Sequence, residues 1–412
     1  MGRVGVLTGG GDTQALNATI YGLVTGAREL GWDVVGIEKG YDGLIGKTVK
    51  VDDFTGVSIV NLTDVDLEKI PYIGGSILKS SRTNPDTPEK IKKCASVIKK
   101  NSIDYLVPIG GDDTNKGALA LYEAGFDLDT INKTMDNDIK GTLFCLGFPT
   151  AAARATMYAG SLPSTLYTNR RDGLFYVFGR KAGWAPLATA SWEDPEDPDT
   201  HYHRVLVPEM GEITEDKIIG LYEDVKSRHG FAQLGISEGV KIKDIMDRED
   251  QLKKRYPEIV DQYDHIDLKA LNVPGYVAEL IRDYRGLKGK DREKKVMFRR
   301  LDYFLRSGQP TDIDRELAIA AGRHAIELLA DGITGRMVNI TKDNVIEGYG
   351  VGDISLKDVS GGRTLEESMF DSDTCTPTEN FIEYVWNFVK HLNPERYRLF
   401  NKPLPQVKQV AT

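Results

Sequence analysis

The feature that most constrains this chain is a local grammar used twice: a short apolar run, a glycine turn ending in aspartate, then a helical period. Residues 4–7 run into Gly9-Gly10-Gly11-Asp12. Leu16, Ile20, Leu23, Val24 and Ala27 follow at three- and four-residue spacing, with Asp12 placed near the N-cap, Gly31 as a stop and a second apolar run at 34–37. The pattern returns at 102–109, which ends in Gly110-Gly111-Asp112-Asp113-Thr114 and predicts a helix over 116–124. Strand, turn and helix units in this order predict an α/β chain whose mainly parallel sheets are wrapped by helices. Apolar runs at 174–178, 204–207 and 233–236 end in Gly179-Arg180, Pro208-Glu209 and Ser237-Glu238-Gly239. Open α/β sheets bind ligands at the carboxyl ends of their strands, so the chemistry is expected in these turns.

A chain of 412 residues exceeds one small core and predicts two lobes. The 53 Lys and Arg against 62 Asp and Glu leave a net charge of −9, which excludes a chain-wide basic field for nucleic acid or an anionic membrane. An anionic ligand must then be held by local clusters. Three cysteines, Cys94, Cys145 and Cys375, are too few and too scattered for a disulfide framework. With no run long enough to span a bilayer and a start that reads as strand and loop, a cytoplasmic protein is expected. The acidic, proline-rich stretch 193–199 reads as a solvated loop, and 241–299 as an insertion or peripheral helical layer with a helix over 273–284.

Two nucleotide motifs fail on inspection. The dinucleotide fingerprint needs a glycine where Gln14 stands, and Gly46-Lys47-Thr48 lacks the upstream glycine of a P-loop, Tyr41 occupying its place. His201 and His203 read as surface histidines for want of a third ligand nearby. What remains are the two Gly-Gly-Asp turns, each expected to open a helix whose N–H groups face an anion. There is also the string Asn132-Lys133-Thr134-Met135-Asp136-Asn137-Asp138, whose paired carboxylates suit one base and one metal-linked acid, or an Asx-rich turn.

Taken in order, Gly-Gly-Asp at 10–12, Gly-Gly-Ser-Ile-Leu-Lys-Ser-Ser-Arg at 74–82, Gly-Gly-Asp-Asp-Thr at 110–114 and Lys-Thr-Met-Asp-Asn-Asp at 133–138 resemble the phosphofructokinase family. Phe-Gly-Arg at 178–180, Pro-Glu at 208–209, Glu-Gly at 238–239 and the run 306–315 extend the resemblance from about Arg3 to Val338. It implies a two-lobed fold, with a donor lobe of residues 1–148 plus about 306–357. The acceptor lobe would be 149–305 plus about 358–412, with a helical insertion near 241–295. The active site is expected between the lobes of a homodimer or homotetramer. Mg²⁺ is expected on Asp112 and, through water, Asp138, with Gly10, Gly11, Gly111, Asp113 and Thr114 along the donor. Asp136 is the implied base, and Arg82, Arg180 and Lys133 the charges around the transferring phosphoryl group. Thr134, Arg171, Phe178, Glu238, Tyr303 and Arg306 are the implied acceptor contacts, Arg171 entering a neighbouring subunit.

Two positions speak to the donor. Where ATP-dependent members carry glycine, Asp113 adds bulk and negative charge against a nucleotide's α-phosphate. Lys133 matches the pyrophosphate-dependent members. Pyrophosphate is therefore the expected donor and fructose 6-phosphate the expected acceptor at its 1-hydroxyl, in a reversible reaction. Pairing of Asp113 with Lys116 would leave the donor choice to other residues. Met297 stands where a phosphate-binding arginine is usual, and Arg299 or Arg300 would substitute only after a register slip. Phe178 replaces a methionine and Tyr176 a glutamate. The acceptor thus stays open between fructose 6-phosphate and another sugar, sugar phosphate or polyol. A non-catalytic sugar-phosphate-binding subunit is disfavoured because the paired aspartates are kept.

Overall fold

The computed structural model describes residues 2–46, 50–51, 54–55, 59–193, 201–246, 272–359 and 361–390. Lys47-Thr48, the acidic stretch after Glu193, the middle of the expected insertion and the end of the C-terminal segment lie outside the described residues. The chain divides into two compact units, Met1–Ala151 with Arg306–Arg363, and Ala152–Leu305 with Thr364–Thr412.

The first unit is built on a seven-stranded sheet in the order Tyr349–Ser355, Arg336–Ile346, Thr130–Asn132, Tyr105–Gly110, Arg3–Thr8, Asp33–Ile37, Ile59–Asn61. The five inner strands run parallel and both edge strands antiparallel. Burial on both faces explains why strands such as Arg3–Thr8 read as unbroken apolar runs. Leu7, Ile37, Leu106, Leu121 and Met337 join one core cluster. From Arg3–Thr8 the chain winds to Asp33–Ile37 on one side and returns to Tyr105–Gly110 on the other, so the order reverses between two strands that both end in glycine turns. That reversal opens a crevice at the carboxyl edge.

Two helix starts differ from the sequence expectation. The first helix is Leu16–Glu29, its N-cap is Ala15, and Asp12 is not its cap. Residues 12–15 instead form a linker, with Thr13 accepting from the Gly75 amide at 3.0 Å and Gln14 donating to the Ser307 carbonyl at 3.2 Å. The second helix, Asp112–Glu123, starts four residues early, directly on Gly111, because Asp112 and Asp113 suit the positive end of the helix dipole. Only one of the two Gly-Gly-Asp turns is thus a helix N-terminus. The strand expected from 102 begins at Tyr105, since Ser102 is left-handed at φ 51° and ends the helix Pro88–Lys100.

The helices Leu16–Glu29 and Asp312–Ala330 cross through glycine. A Cβ on Gly22 would stand 2.0 Å from the Ile319 carbonyl oxygen, and one on Gly322 2.3 Å from that of Thr19.

The second unit carries a four-stranded, all-parallel sheet in the order Val296–Arg300, Asp172–Val177, Gln233–Ser237, His203–Leu206. The helix Val273–Tyr284 falls where its period predicts. The end of the stretch 241–299, read as an insertion or a peripheral helical layer, is a sheet strand, Val296–Arg300. Two further expectations are corrected here. His203 is wholly buried, stacked on Phe175 with Nε2 3.0 Å from Thr189 Oγ1, and is no surface histidine. Burial pushes its pKa down to about 3. Glu193 is buried too, accepting the Tyr202 and His203 amides at 2.6 and 2.8 Å. Beneath the sheet, fully buried Asp172 gathers Tyr222, Lys226 and Arg285 within 2.9 Å.

Replacing Gly22 or Gly322 with alanine drives a methyl into backbone that cannot yield, and should destabilise the protein by about 1–3 kcal/mol. A lowered urea midpoint at unchanged slope would register it, and a midpoint equal to that of the unmodified protein would contradict the crossing.

Candidate active site

Three loops meet at the carboxyl edge of the first sheet. Thr8 is in register with Ile109, and Gly110 with Asn132, so Gly9-Gly10-Gly11, Gly111-Asp112-Asp113 and Lys133 to Asp138 leave adjacent strands at one level. The first two loops pack on one side chain. Thr114 is 3% exposed, and a Cβ on Gly9 or Gly110 would fall 2.4 or 2.3 Å from its Oγ1. The structure therefore places Thr114 beneath the loops as their spacer, with its carbonyl accepting from the Tyr41 hydroxyl at 3.0 Å.

The segment 74–82 is tied alongside. Asn17 donates to the Ile73 carbonyl and accepts from the Ile77 amide, both at 2.8 Å. The Gly10 amide donates to the Ser81 carbonyl at 2.8 Å, and Ser80 Oγ donates to the Gly10 carbonyl at 2.6 Å. Arg82 consequently emerges, exposed, beside the glycine loop.

Lys133 is the most constrained charge. It is 2% exposed, and its Nζ donates to the Gly9 and Gly11 carbonyls at 3.1 and 2.5 Å. Burial pushes its pKa down to about 8; the charge of Arg306 acts in the same sense, while Asp12 and Asp136 oppose it. Arg306 lies on the glycine loop so closely that a Cβ on Gly11 would sit 1.9 Å from its Nη1. Gly11 thus leaves the volume that the guanidinium occupies, and a side chain there would have to displace it. Thr134, Asp136 and Asp138 are half-buried and alternate with buried Met135, Asn137 and Ile139 along this turn. Asn137 reaches this turn at φ 54° and its Oδ1 accepts the Cys145 amide at 2.9 Å.

Among the described residues no group of three or more His, Cys, Asp or Glu side chains forms a ready-made metal site. The donors present nonetheless suit a hard cation. Lys116 Nζ donates to Asp112 Oδ2 at 2.6 Å and stands 3.9 Å from Asp113. Its pKa lies above the ordinary value through that hydrogen bond and the charges of Asp112, Asp113 and Asp138. Carboxylates already arranged around one cation are the chemistry Mg²⁺ takes when it binds through one or two of them and a phosphate.

In the second unit Arg171 and the other acceptor candidates occupy opposite edges of the sheet. Phe178, Arg180, Glu238 and Tyr303 follow the carboxyl ends of their strands, whereas Arg171 immediately precedes Asp172–Val177 and Met297 pairs with Gly173. Six residues of strand separate the two edges by about 20 Å. The register from Val296↔Asp172 to Arg300↔Tyr176 is unbroken, so no slip brings Arg299 or Arg300 to the place of Met297. At the carboxyl edge Tyr176 donates to Glu238 Oε2 at 2.5 Å, and Phe178 stands edge-on to Tyr303 at 6.3 Å. A Cβ on Gly239 would fall 2.1 Å from the Arg180 carbonyl, which requires glycine beside Glu238. Sequence reasoning missed Tyr176 and Arg300 as partners at this edge; their in-register pairing across strands was the available signal.

Residues 3–329 match the model of the family described as Phosphofructokinase. The chain belongs to the phosphofructokinase family. It is a phosphotransferase of the sugar-phosphate kinase type. It is 31% identical over 351 residues to a pyrophosphate--fructose 6-phosphate 1-phosphotransferase of Dictyoglomus thermophilum, covering 84% of this chain and 91% of that protein. An ATP-dependent 6-phosphofructokinase of Clostridioides difficile is also 31% identical, over 84% of this chain and 92% of that protein. In fold it resembles the pyrophosphate-dependent phosphofructokinase of Nitrosospira multiformis, with a TM-score of 0.77 at 20% identity over 94% of this chain and 91% of that one. Phosphofructokinase relatives of both donor types are therefore equally similar in sequence.

With a pKa of about 8, Lys133 is charged at pH 7 and loses its proton as pH rises toward 9. Pyrophosphate binding, followed by calorimetry across that window, should weaken in the unmodified protein relative to Lys133→Met, in which the charge is absent throughout. Parallel profiles for the two proteins would show that Lys133 does not meet the donor.

Proposed function

We propose that this phosphofructokinase uses pyrophosphate, transferring its terminal phosphoryl group to a hydroxyl of a phosphorylated sugar, with fructose 6-phosphate as the favoured acceptor. One observation carries the donor assignment: Asp113 stands in the first turn of the helix capped by Gly111, its side chain 82% exposed. A helix N-terminus offers its N–H groups to an anion, and here the chain's own carboxylates already crowd that position. The extra phosphate and nucleoside of ATP meet bulk and like charge; the shorter donor ends before them. Lys133 supports the same reading from the other side of the turn.

The chain's residues divide the work. Gly10, Gly11 and Gly111 let backbone approach the donor, and Lys133, Arg82 and Arg180 oppose its charge. Asp112 and Asp138 would hold Mg²⁺, which when bound neutralises donor phosphate charge. Asp136 takes the proton of the acceptor hydroxyl as that oxygen bonds to phosphorus; the bridging P–O bond breaks and phosphate leaves with its electron pair. Thr134, Arg306, Glu238, Phe178 and Tyr303 receive the sugar. Loss of phosphate, in place of a nucleotide, makes a reversible reaction. Three free, buried cysteines suit the reducing cytoplasm, and no described helix is long and apolar enough to cross a membrane.

ATP is the second reading, favoured by the 3.9 Å approach of Lys116 to Asp113, which offsets the carboxylate's charge. Steady-state assays with each donor separate the two. The unmodified protein should turn over pyrophosphate with ATP poor, and Asp113→Gly should raise kcat/KM for ATP by about tenfold or more. Efficient use of ATP with pyrophosphate inert would sink the assignment.

Because Arg171 lies about 20 Å from the carboxyl-edge residues of its own sheet, we place it in the acceptor site of a neighbouring subunit, in a homodimer or homotetramer. Arg171→Ala and Asp136→Asn should each be nearly inactive alone. Mixing the two after dissociation and reassociation should restore measurable turnover, since some sites then hold both native residues. Full activity in a strictly monomeric protein would contradict this arrangement.

A further inference from the structure

At the carboxyl edge of the second sheet, three neighbouring strands bring together a cluster in which Tyr176 is the hub. Its hydroxyl donates to Glu238 Oε2 at 2.5 Å. Its ring is covered by the Arg300 guanidinium, whose carbon lies 4.2 Å from the ring centroid. Phe178 closes the ring's side at 5.8 Å with planes 77° apart. Arg300 is the residue directly paired with Tyr176 in register, so the stack follows from the sheet itself.

Arg300 is anchored at one end only. Its Nε and Nη2 donate to Asp302 Oδ2 at 2.9 and 2.8 Å, while Nη1 has no partner among the described residues and the side chain is 51% exposed. Asp302 is itself fixed, its Oδ1 accepting the Tyr303 amide at 2.9 Å, and Tyr303 is among the most exposed aromatic residues at this edge. Arg299 cannot share the role. It lies on the other face, where its Nη1 donates to the Phe298 carbonyl at 3.0 Å. A guanidinium clamped between an aromatic face and a carboxylate loses little entropy when it meets an anion, and its planar fork suits a phosphate oxygen. Glu238, held by the same tyrosine, accepts hydroxyl protons beside it.

We propose that Arg300 is a specificity-determining residue that reads an anionic group on the acceptor from within the subunit, and that Tyr176 is the positioning residue that holds both Arg300 and Glu238. Arg300 then supplies a charge at this edge, whereas Met297, toward the far edge, supplies none. This rests on the reading of this edge as the acceptor site and is independent of which donor is used.

The test is binding of fructose 6-phosphate and of unphosphorylated fructose to the intact protein, by calorimetry without donor. The unmodified protein should prefer the phosphate ester by roughly 10- to 100-fold, the effect of one charge-assisted contact. Arg300→Ala should lower that preference by roughly tenfold or more, other cations of the site keeping the remainder, and Arg300→Lys should recover part of it. Tyr176→Phe keeps the stack and loses the bond to Glu238, so it should weaken both ligands together and preserve their ratio; Tyr176→Leu should lower the ratio as well. Thermal melting of each variant controls for folding. A protein that does not distinguish the two ligands, or an Arg300→Ala variant with the full preference, overturns the proposal. A donor assay that favours ATP would overturn the pyrophosphate assignment and leave this result standing, whereas loss of the preference with pyrophosphate turnover intact would do the reverse.

Discussion

The interaction on which the first unit depends is the wedge of Thr114 between two glycine turns. Gly9 and Gly110 have no side chain, and the threonine fills the volume both vacate. Their strands are already in register, so this contact brings two loops to one level and sets their spacing. Lys133 then enters from the third strand and ties the first loop through two carbonyls. Every charge at this edge is placed relative to that backbone frame: Arg306 against Gly11, Arg82 beside Ser81, and the aspartates along the turn that follows.

A frame made of backbone suits chemistry on phosphate. Polyanions are bound by many modest donors whose positions must not shift, and fixed dipoles cost no reorganisation when charge moves. Left-handed residues occur at Gly10 and Asn137, both inside the loops that carry the charges. Lys133 shows the opposing pressure. Burial favours its neutral amine and lowers its pKa to about 8, against the opposing charges of Asp12 and Asp136.

Much of the architecture was legible because a parallel sheet prints its strands as apolar runs and its turns as glycine. The helix Val273–Tyr284 and the strands at the first and second glycine turns show this. Boundaries failed where a tertiary contact overrode local pattern. Asp12 has the chemistry of a cap, but the Thr13 to Gly75 and Gln14 to Ser307 bonds draw residues 12–15 out of the helix. His203 and Glu193 looked superficial by composition and are buried, His203 between Phe175 and Thr189 and Glu193 under the Tyr202 and His203 amides. Val296–Arg300 was hidden by its own charges, since two arginines at the end of an edge strand resemble a solvated helix. The candidate residues were readable as motifs, while the partition of the acceptor candidates between two sheet edges required the register. A linear sequence does not say which end of a strand a side chain serves.

The crossing of Leu16–Glu29 and Asp312–Ala330 at Gly22 and Gly322 carries a consequence for the charges at the carboxyl edge. The helix that begins at Asp312 is fed by the segment containing Arg306, whose guanidinium rests on Gly11 with no room to spare. A link of five residues, 307–311, thus joins a backbone crossing that tolerates no added atom to a side-chain contact that an added atom would displace, like a lever with one end seated and the other resting. Its length fixes where a positive charge falls relative to the donor loop. Drift in the interior of this unit is therefore policed twice, by the volume at the crossing and by the electrostatics at the loop, and residues that never touch a substrate are held as tightly as those that do.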